Sequence, residues 1–340
     1  MWRKTQKTFA TVVPVMLAMA YVAVAICLLN RWDAMVAVTL IPVWLWCAAG
    51  ATISLLCWMI CRGVAPGVMF CLFLITGIGF SEEAVGIVRE LYQSFQKQPA
   101  DSPAPSVLRV VNVRCEGEEA PLRKAAESAP DILIVQQAPS REILDAVADQ
   151  LYGVQRTVTL SGTGTHAILG RGEVVASIAD PSSPALHVRL RRPDGLILDV
   201  SNLDLPGCAP RIDMWKPSVW KQLIDARIEN RRLVRTHLGE HPLDRKSVVR
   251  IIGGGFGTPP GDDVFRPLEN SGMVDTYAAV GIGWGNTYPA DYPMLRLDQI
   301  WVSPNLHPIK ATTRLNSGPG NRIVVCELKL PAPAKPAPAN

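Results

Sequence analysis

Three uncharged stretches open the chain, Thr8–Asn30, Ala34–Cys61 and Gly63–Ser81, of 23, 28 and 19 residues. A helix needs about 20 predominantly apolar residues to cross the hydrocarbon of a bilayer, so each stretch is long enough to span one. Pro14, Pro42 and Pro66 are compatible with this, because neighbouring helices satisfy the backbone groups that a kink releases. Arg3, Lys4 and Lys7 ahead of the first run also match the start of a secretory signal, with Ala23-Val-Ala25 as its cleavage site. The run exceeds the roughly 7–15 residues of a signal core, so a retained helix is expected.

The chain's 34 Lys and Arg outnumber its 30 Asp and Glu, a formal net of +4. All of that excess lies in residues 1–80, where Arg3, Lys4, Lys7, Arg31 and Arg62 face Asp33 alone. The remainder balances, which leaves no basic footprint and no strong signal for nucleic acid as a partner. The positive residues orient the spans instead. They flank the first span and separate the second from the third, which predicts a cytoplasmic N-terminus and places residues 82–340 outside the cytoplasm. Removal of the first span would leave the C-terminal part on the same side. No span contains a charged residue to mark an ion path, so a transporter is a poor fit. Outside the spans only Cys115, Cys208 and Cys326 remain, too few and too widely spaced for a disulfide framework or a metal pattern. Buried, unpaired thiols are expected, with a bridge between one pair in an oxidising compartment as the alternative.

Four parts follow: a membrane domain over 1–81, a juxtamembrane helix and Pro-rich linker over 82–105, a globular domain over 106–329, and a disordered Pro/Ala tail over 330–340. Ser81-Glu-Glu has the capping residue and acidic first turn of a helix start, and Val85, Val88, Leu91, Tyr92 and Phe95 share one face. That helix is expected to lie on the membrane surface or to continue the third span. In the globular part, Val107–Arg114 and Asp131–Gln137 read as strands, Ser140–Leu151 as a helix, and Pro193-Asp-Gly195 as the turn of a hairpin. A basic helix over about Pro217–Leu238 carries Arg227, Arg231 and Arg235 at four-residue spacing, and its expected place is a solvated outer face. Strands alternating with helices and hairpins give a mixed α/β class.

The order of these segments resembles the endonuclease/exonuclease/phosphatase family of metal-dependent phosphoesterases, from about Val107 to Leu328. In that family an early strand ends in Asn, here Asn112, and a second ends in Gln-Glu, here Gln136-Gln137. Gly-Asp-Phe-Asn followed by Thr-Pro-Pro is similar to Gly254-Gly-Phe-Gly257 followed by Thr258-Pro-Pro260. Arg-Ile-Asp-x-Ile is similar to Arg296-Leu-Asp-Gln-Ile300, and Gly283–Pro289 ahead of it is similar to membrane-attached bacterial members. The final Ser-Asp-His is matched only by Pro319-Gly320-Asn321. The resemblance implies a four-layer α/β sandwich of two mixed sheets, here preceded by three transmembrane helices.

The resemblance also implies a divalent metal, a carboxylate that activates water, and a His that protonates or stabilises phosphate. Gln137 stands where the family has its metal-binding Glu, Gly255 and Gly257 replace an Asp and an Asn, and Gly320-Asn321 replaces Asp-His. Asp204 replaces another family His, and Asn112 and Asp298 alone keep the family's residue. In the family that Asp supports the His, so Asp298 is expected to lack its partner. Groups that act as a unit lose nearly all their effect with the first removal. A catalytically degenerate binding module is therefore expected, with no cofactor, the lipid bilayer as one partner, and an unidentified protein or phosphate-containing ligand as another. The alternative is a phosphodiesterase, nuclease or phosphatase with a rearranged site, in which Asp204, Asp298, Gln137 and Asn112 converge on Mg²⁺ or Mn²⁺. The five histidines are expected to be surface or internally satisfied residues.

Overall fold

The β-branched runs build two six-stranded mixed sheets in the computed structural model, which describes residues 2–95, 107–178, 185–207, 209–214, 216–240, 249–318 and 320–330. The Pro-rich linker 97–105, residues 331–340 of the tail, Cys208, Trp215, His241 and Pro319 lie outside the described residues. In chain order the strands are β1 (Val107–Arg114), β2 (Ile132–Gln136), β3 (Arg156–Leu160), β4 (His166–Arg171), β5 (Glu173–Ile178), β6 (Ala185–Arg191), β7 (Ile197–Asp204), β8 (Val249–Gly255), β9 (Val274–Asp275), β10 (Asp298–Val302), β11 (His307–Arg314) and β12 (Ile323–Lys329). One sheet runs β11-β12-β1-β2-β4-β3 and the other β5-β6-β7-β8-β10-β9. Among the described strand pairs only β1 with β2 and β7 with β8 are parallel. These two central pairs end on the same side of the sandwich, and their ends carry the site.

Alternation along β1 divides the core. Leu108 and Val110 face the second sheet and pack with Val188, Val200 and Ile251, while Val111 and Val113 face outward onto Leu122 and Leu144. Those outer residues belong to helices flanking the first sheet, numbered in chain order with the others: α1 (Trp2–Asn30), α2 (Val36–Thr39), α3 (Val43–Cys61), α4 (Val64–Phe80), α5 (Glu82–Phe95), α6 (Glu119–Ala126), α7 (Arg141–Tyr152), α8 (Pro217–Glu240), α9 (Arg266–Asn270) and α10 (Thr276–Val280). Helix α8 covers the second sheet through residues such as Val234. Cys115 and Cys326 are buried free thiols.

Two helical stretches, Ala10–Asn30 and Val43–Cys61, are long and apolar enough to cross a membrane; α4 reaches that measure only together with α5, across a 71° bend. The bend falls at Ser81, whose hydroxyl accepts the Ala84 N–H at 3.2 Å and donates to Glu83 at 2.8 Å, starting a new helix. The second of these helices begins at Val43, later than the uncharged run from Ala34 suggests. A 3-10 turn over Asp33–Met35 and the short α2 come first instead, and Val36 and Leu40 there are buried against Val219 and Leu223 of α8.

Two arginines of the α8 stripe, Arg227 and Arg231, do not lie on a solvated face, whereas Arg235 is exposed as expected. Arg227 is fully buried, donating to the Asp262 carboxylate at 3.0 Å and to the Trp32 carbonyl at 3.1 Å. Arg231 grips Asp33 through two bonds of 2.8 Å and also pairs with Asp263. The four-residue spacing thus reads out as a row of cations meeting the connection between α1 and α3, and Trp220 adds a bond to the Ala34 carbonyl at 2.9 Å. Helix α5 docks on the other side, where Gly86 packs so tightly that a Cβ would sit 2.3 Å from the Gly283 carbonyl. Trp44 of α3 meets Trp284 edge to face with ring centroids 5.4 Å apart.

Candidate functional site

At the ends of the parallel strand pairs the apolar core gives way to amides. Gln136 donates to Asn112 at 2.8 Å and to Asn202 at 2.7 Å, and Asn202 donates to the carbonyls of Val135 and Ala167 at 2.7 and 3.1 Å. All three side chains are fully buried. This lattice ties β1 and β2 to β7 across the sandwich, and it consumes the Asn112 oxygen that a metal ligand would need free. Gln136 belongs to the Gln136-Gln137 motif, whereas Asn202 is a lattice position that motif reading does not single out; its signal is a polar side chain inside a largely apolar strand.

Beyond the amides lies an open cavity of about 480 Å³ lined by Arg114, Glu116, Gln137, Asp204, Gly255, Gly257, Tyr288 and Asn321. Its floor is an ion pair between Arg114 and Asp204. A Cβ on Gly255 would stand 2.6 Å from Arg114 Nη2 and 3.1 Å from Asp204 Oδ1. The guanidinium therefore occupies the space in which a side chain at position 255 would begin. His166 Nε2 lies 3.6 Å from the other Asp204 oxygen, so Asp204 is held between two nitrogen groups. Gln137 stands at the rim with a left-handed backbone, φ 45°.

Asp298 sits opposite Gly255 in the β8–β10 register and is buried behind Asn321. Its expected lack of a partner is corrected here: Asn321 Nδ2 donates to Asp298 Oδ2 at 2.6 Å. The amide keeps the hydrogen bond while removing the titratable nitrogen that proton transfer needs. The other carboxylate oxygen has no hydrogen-bond partner among the described residues. Burial pushes the Asp298 pKa up to about 6, against the lowering effect of Thr287, Arg114 and Asn321. Between its ordinary 3.8 and about 6 the folded state binds the extra proton, so Asp298 lowers stability as pH rises through that window. Asp298→Asn is accordingly expected to stabilise the full chain above pH 6 and to flatten that decline. Denaturation midpoints across pH 4–8 in detergent measure it, and a variant less stable than the wild type at pH 7.5 contradicts it.

The four residues proposed from sequence do not converge on one cation. Asp204 is paired to Arg114, Asp298 is turned to Asn321, Asn112 is bound into the amide lattice, and Gln137 offers a neutral oxygen. A divalent ion in this cavity would lie beside a guanidinium, whose repulsion opposes binding. Among the described residues no three His, Cys, Asp or Glu side chains cluster in a metal-holding arrangement. The residues present do not fit the metal that the family resemblance implies.

The histidines are internally satisfied where their side chains are buried. His187 lies 2.8 Å from Asp199 and 3.1 Å from Ser201, and His237 lies 2.8 Å from the same Ser201 hydroxyl. Arg250 completes the set with bonds of 3.0 and 2.7 Å to Asp199. Despite opposing desolvation, these partners hold the Asp199 pKa down to about 2. The group is sealed between the second sheet and α8, away from the cavity.

Comparison with solved structures separates fold from chemistry. A mannosyl-6-phosphatase of Bacteroides thetaiotaomicron superposes with a TM-score of 0.50 at 17% identity, covering 65% of this chain and 99% of its own. The fold is that of the endonuclease/exonuclease/phosphatase proteins. Members of that family from Bacteroides thetaiotaomicron and Bacteroides vulgatus each score 0.49, at 17% and 13% identity, over 68% and 66% of this chain and 100% and 99% of theirs. Neither a family profile nor a curated protein sequence matches the chain. At such identities the likeness extends to the endonuclease/exonuclease/phosphatase fold alone, and function rests on the site.

Proposed function

We propose that the chain is a membrane-anchored protein whose endonuclease/exonuclease/phosphatase-fold domain has lost hydrolysis and acts as a binding module outside the cytoplasm. The observation that carries this reading is the Arg114–Asp204 pair lying in the space left by Gly255. A fixed protein cation there supplies the positive charge that a metal would supply, but it can neither ligate nor acidify a water. The loss of carboxylate, amide and histidine at positions 255, 257 and 321 points the same way. The orientation of the spans supports the extracytoplasmic placement: Asp33, after the first span, and Glu82, after the third, both bond to the sandwich, so both connections lie on its side. The ligand is a protein or a phosphate-containing molecule, which would meet Arg114 and the Gln137 amide and face Glu116 and Asp204 as acceptors.

The test uses the full chain in detergent with Mg²⁺ or Mn²⁺ and bis-nitrophenyl phosphate. No metal-dependent turnover is expected, and no shift of the thermal midpoint on adding Mn²⁺. The triple change Arg114→Ala, Gly255→Asp, Gln137→Glu removes the cation and returns two carboxylates, and it is expected to gain a Mn²⁺-dependent rise of several degrees. Turnover by the wild type that disappears in Asp298→Ala or Asn112→Ala would overturn the reading.

A further inference from the structure

A second cavity, of about 320 Å³, lies at the C-terminal end of α1, remote in sequence from the site above. Arg31, Arg231, Arg235 and Arg266 line it against Asp33 and Asp263, two more cations than anions. Some of this charge is already compensated: Arg231 holds both aspartates, Arg266 pairs with Asp263 at 2.7 Å, and Arg31 pairs with Glu269 at 2.8 Å. Arg235 is exposed and has no ion-pair partner among the described residues. An anion entering the cavity thus meets one uncommitted guanidinium and three already fixed by carboxylates, which is a pre-organised setting for phosphate.

Below the cavity, Val15, Ala18, Met19, Val22, Ala23 and Ile26 form a shallow apolar groove along one face of α1. The stripe continues one turn further, from Ile26 to Asn30, whose side chain donates to the Ile26 carbonyl at 2.8 Å and which lines the arginine cavity. From Val15 to Ile26 an α-helix rises about 16 Å. That matches one leaflet, about 15 Å, of the hydrocarbon core of a bilayer. The groove lies within the stretch Ala10–Asn30 that is apolar enough to cross a membrane.

We propose that this junction is an anionic-phospholipid site: the phosphate seats among Arg235, Arg266 and Arg31, and an acyl chain runs down the groove from Ile26 to Val15. Charge selects the headgroup, and the apolar stripe distinguishes a lipid from free phosphate. Because α8 and α9 supply Arg235 and Arg266 while α1 supplies the groove and leads into Arg31, the lipid bridges sandwich and span. The site depends on α1 residing in the membrane but not on the chemistry of the Arg114 cavity.

The full chain is placed in nanodiscs of phosphatidylcholine alone or with phosphatidylglycerol added, and the thermal midpoint is read. Phosphatidylglycerol is expected to raise it by about 3 °C or more. The rise should vanish in Arg235→Gln with Arg266→Gln and persist in Arg123→Gln with Arg141→Gln, which removes the same two charges from α6 and α7. Arg235→Gln alone removes no existing ion pair, so its midpoint in phosphatidylcholine should equal the wild type's, with a reduced response to phosphatidylglycerol. Equal midpoints of the wild type in both discs overturn the proposal, as does an unchanged response in the double variant. Inorganic phosphate reproducing the whole shift identifies a phosphate site and overturns the lipid assignment. Failure of the chain to enter discs at all overturns this site and the membrane reading together, whereas a missing lipid response in discs leaves the Arg114 reading standing.

Discussion

Replacing Gly254 with Ala is expected to cost at least about 4 kcal/mol, because two independent obstacles meet at that position. Its φ of 153° is one that side-chain-bearing residues rarely adopt, and a Cβ would lie 1.8 Å from the Leu203 carbonyl oxygen. That oxygen belongs to the neighbouring parallel strand, paired in register as Leu203 with Gly254, so backbone must move to make room. Asn112 reaches toward the Gly254 carbonyl at 3.5 Å, so the displacement also reaches the amide lattice beneath the cavity. Chemical denaturation of the full chain in detergent measures the loss, and a variant with the wild-type midpoint contradicts it.

Arg296→Met is expected to cost about 3–5 kcal/mol, since it leaves two carboxylates uncompensated. Arg296 is 3% exposed and donates to Asp275 at 3.1 and 2.6 Å and to Glu82 at 2.5 Å. It also lies over the Tyr277 ring, 5.2 Å from the centroid. Burial pushes the Glu82 pKa up while Arg296 opposes it, so removing the arginine favours protonation of that carboxyl. Adding Glu82→Gln and Asp275→Asn to Arg296→Met is expected to recover part of the stability. Because Glu82 opens α5, the single variant should also expose residues 82–95 to protease before the sheets unfold. Equal protease resistance of α5 in wild type and variant would count against this.

The strand framework was legible because its signals are local. The β-branched runs, the Pro-Asp-Gly turn and the capped helices each declare themselves within a few residues, and motif order supplied the sandwich. The cavity was harder to read. Arg114 looks like an ordinary polar end to a strand; its meaning comes from Asp204 and Gly255, which the fold brings to it from distant segments. Asn321 reads as a lost histidine until its bond to Asp298 shows that the pair persists in altered chemistry. The arginines of α8 have the spacing of a solvated face, and nothing within the helix reveals that Asp33, Asp262 and Asp263 await them. Charge balance locates an excess, but it cannot say which charges will meet.

The grip of Arg231 on Asp33 spans 198 residues of sequence, which sets an order of events during synthesis. At roughly 5–20 residues per second, the first connection waits on the order of 10–40 s for its partner to be made. During that interval Asp33 must remain hydrated, and Val36 and Leu40 have no α8 to cover them. The connection reaches its final place only after α8 has been made and has packed against it. Packing around Asp33 is therefore completed by α8, an element made long after the helix it fastens.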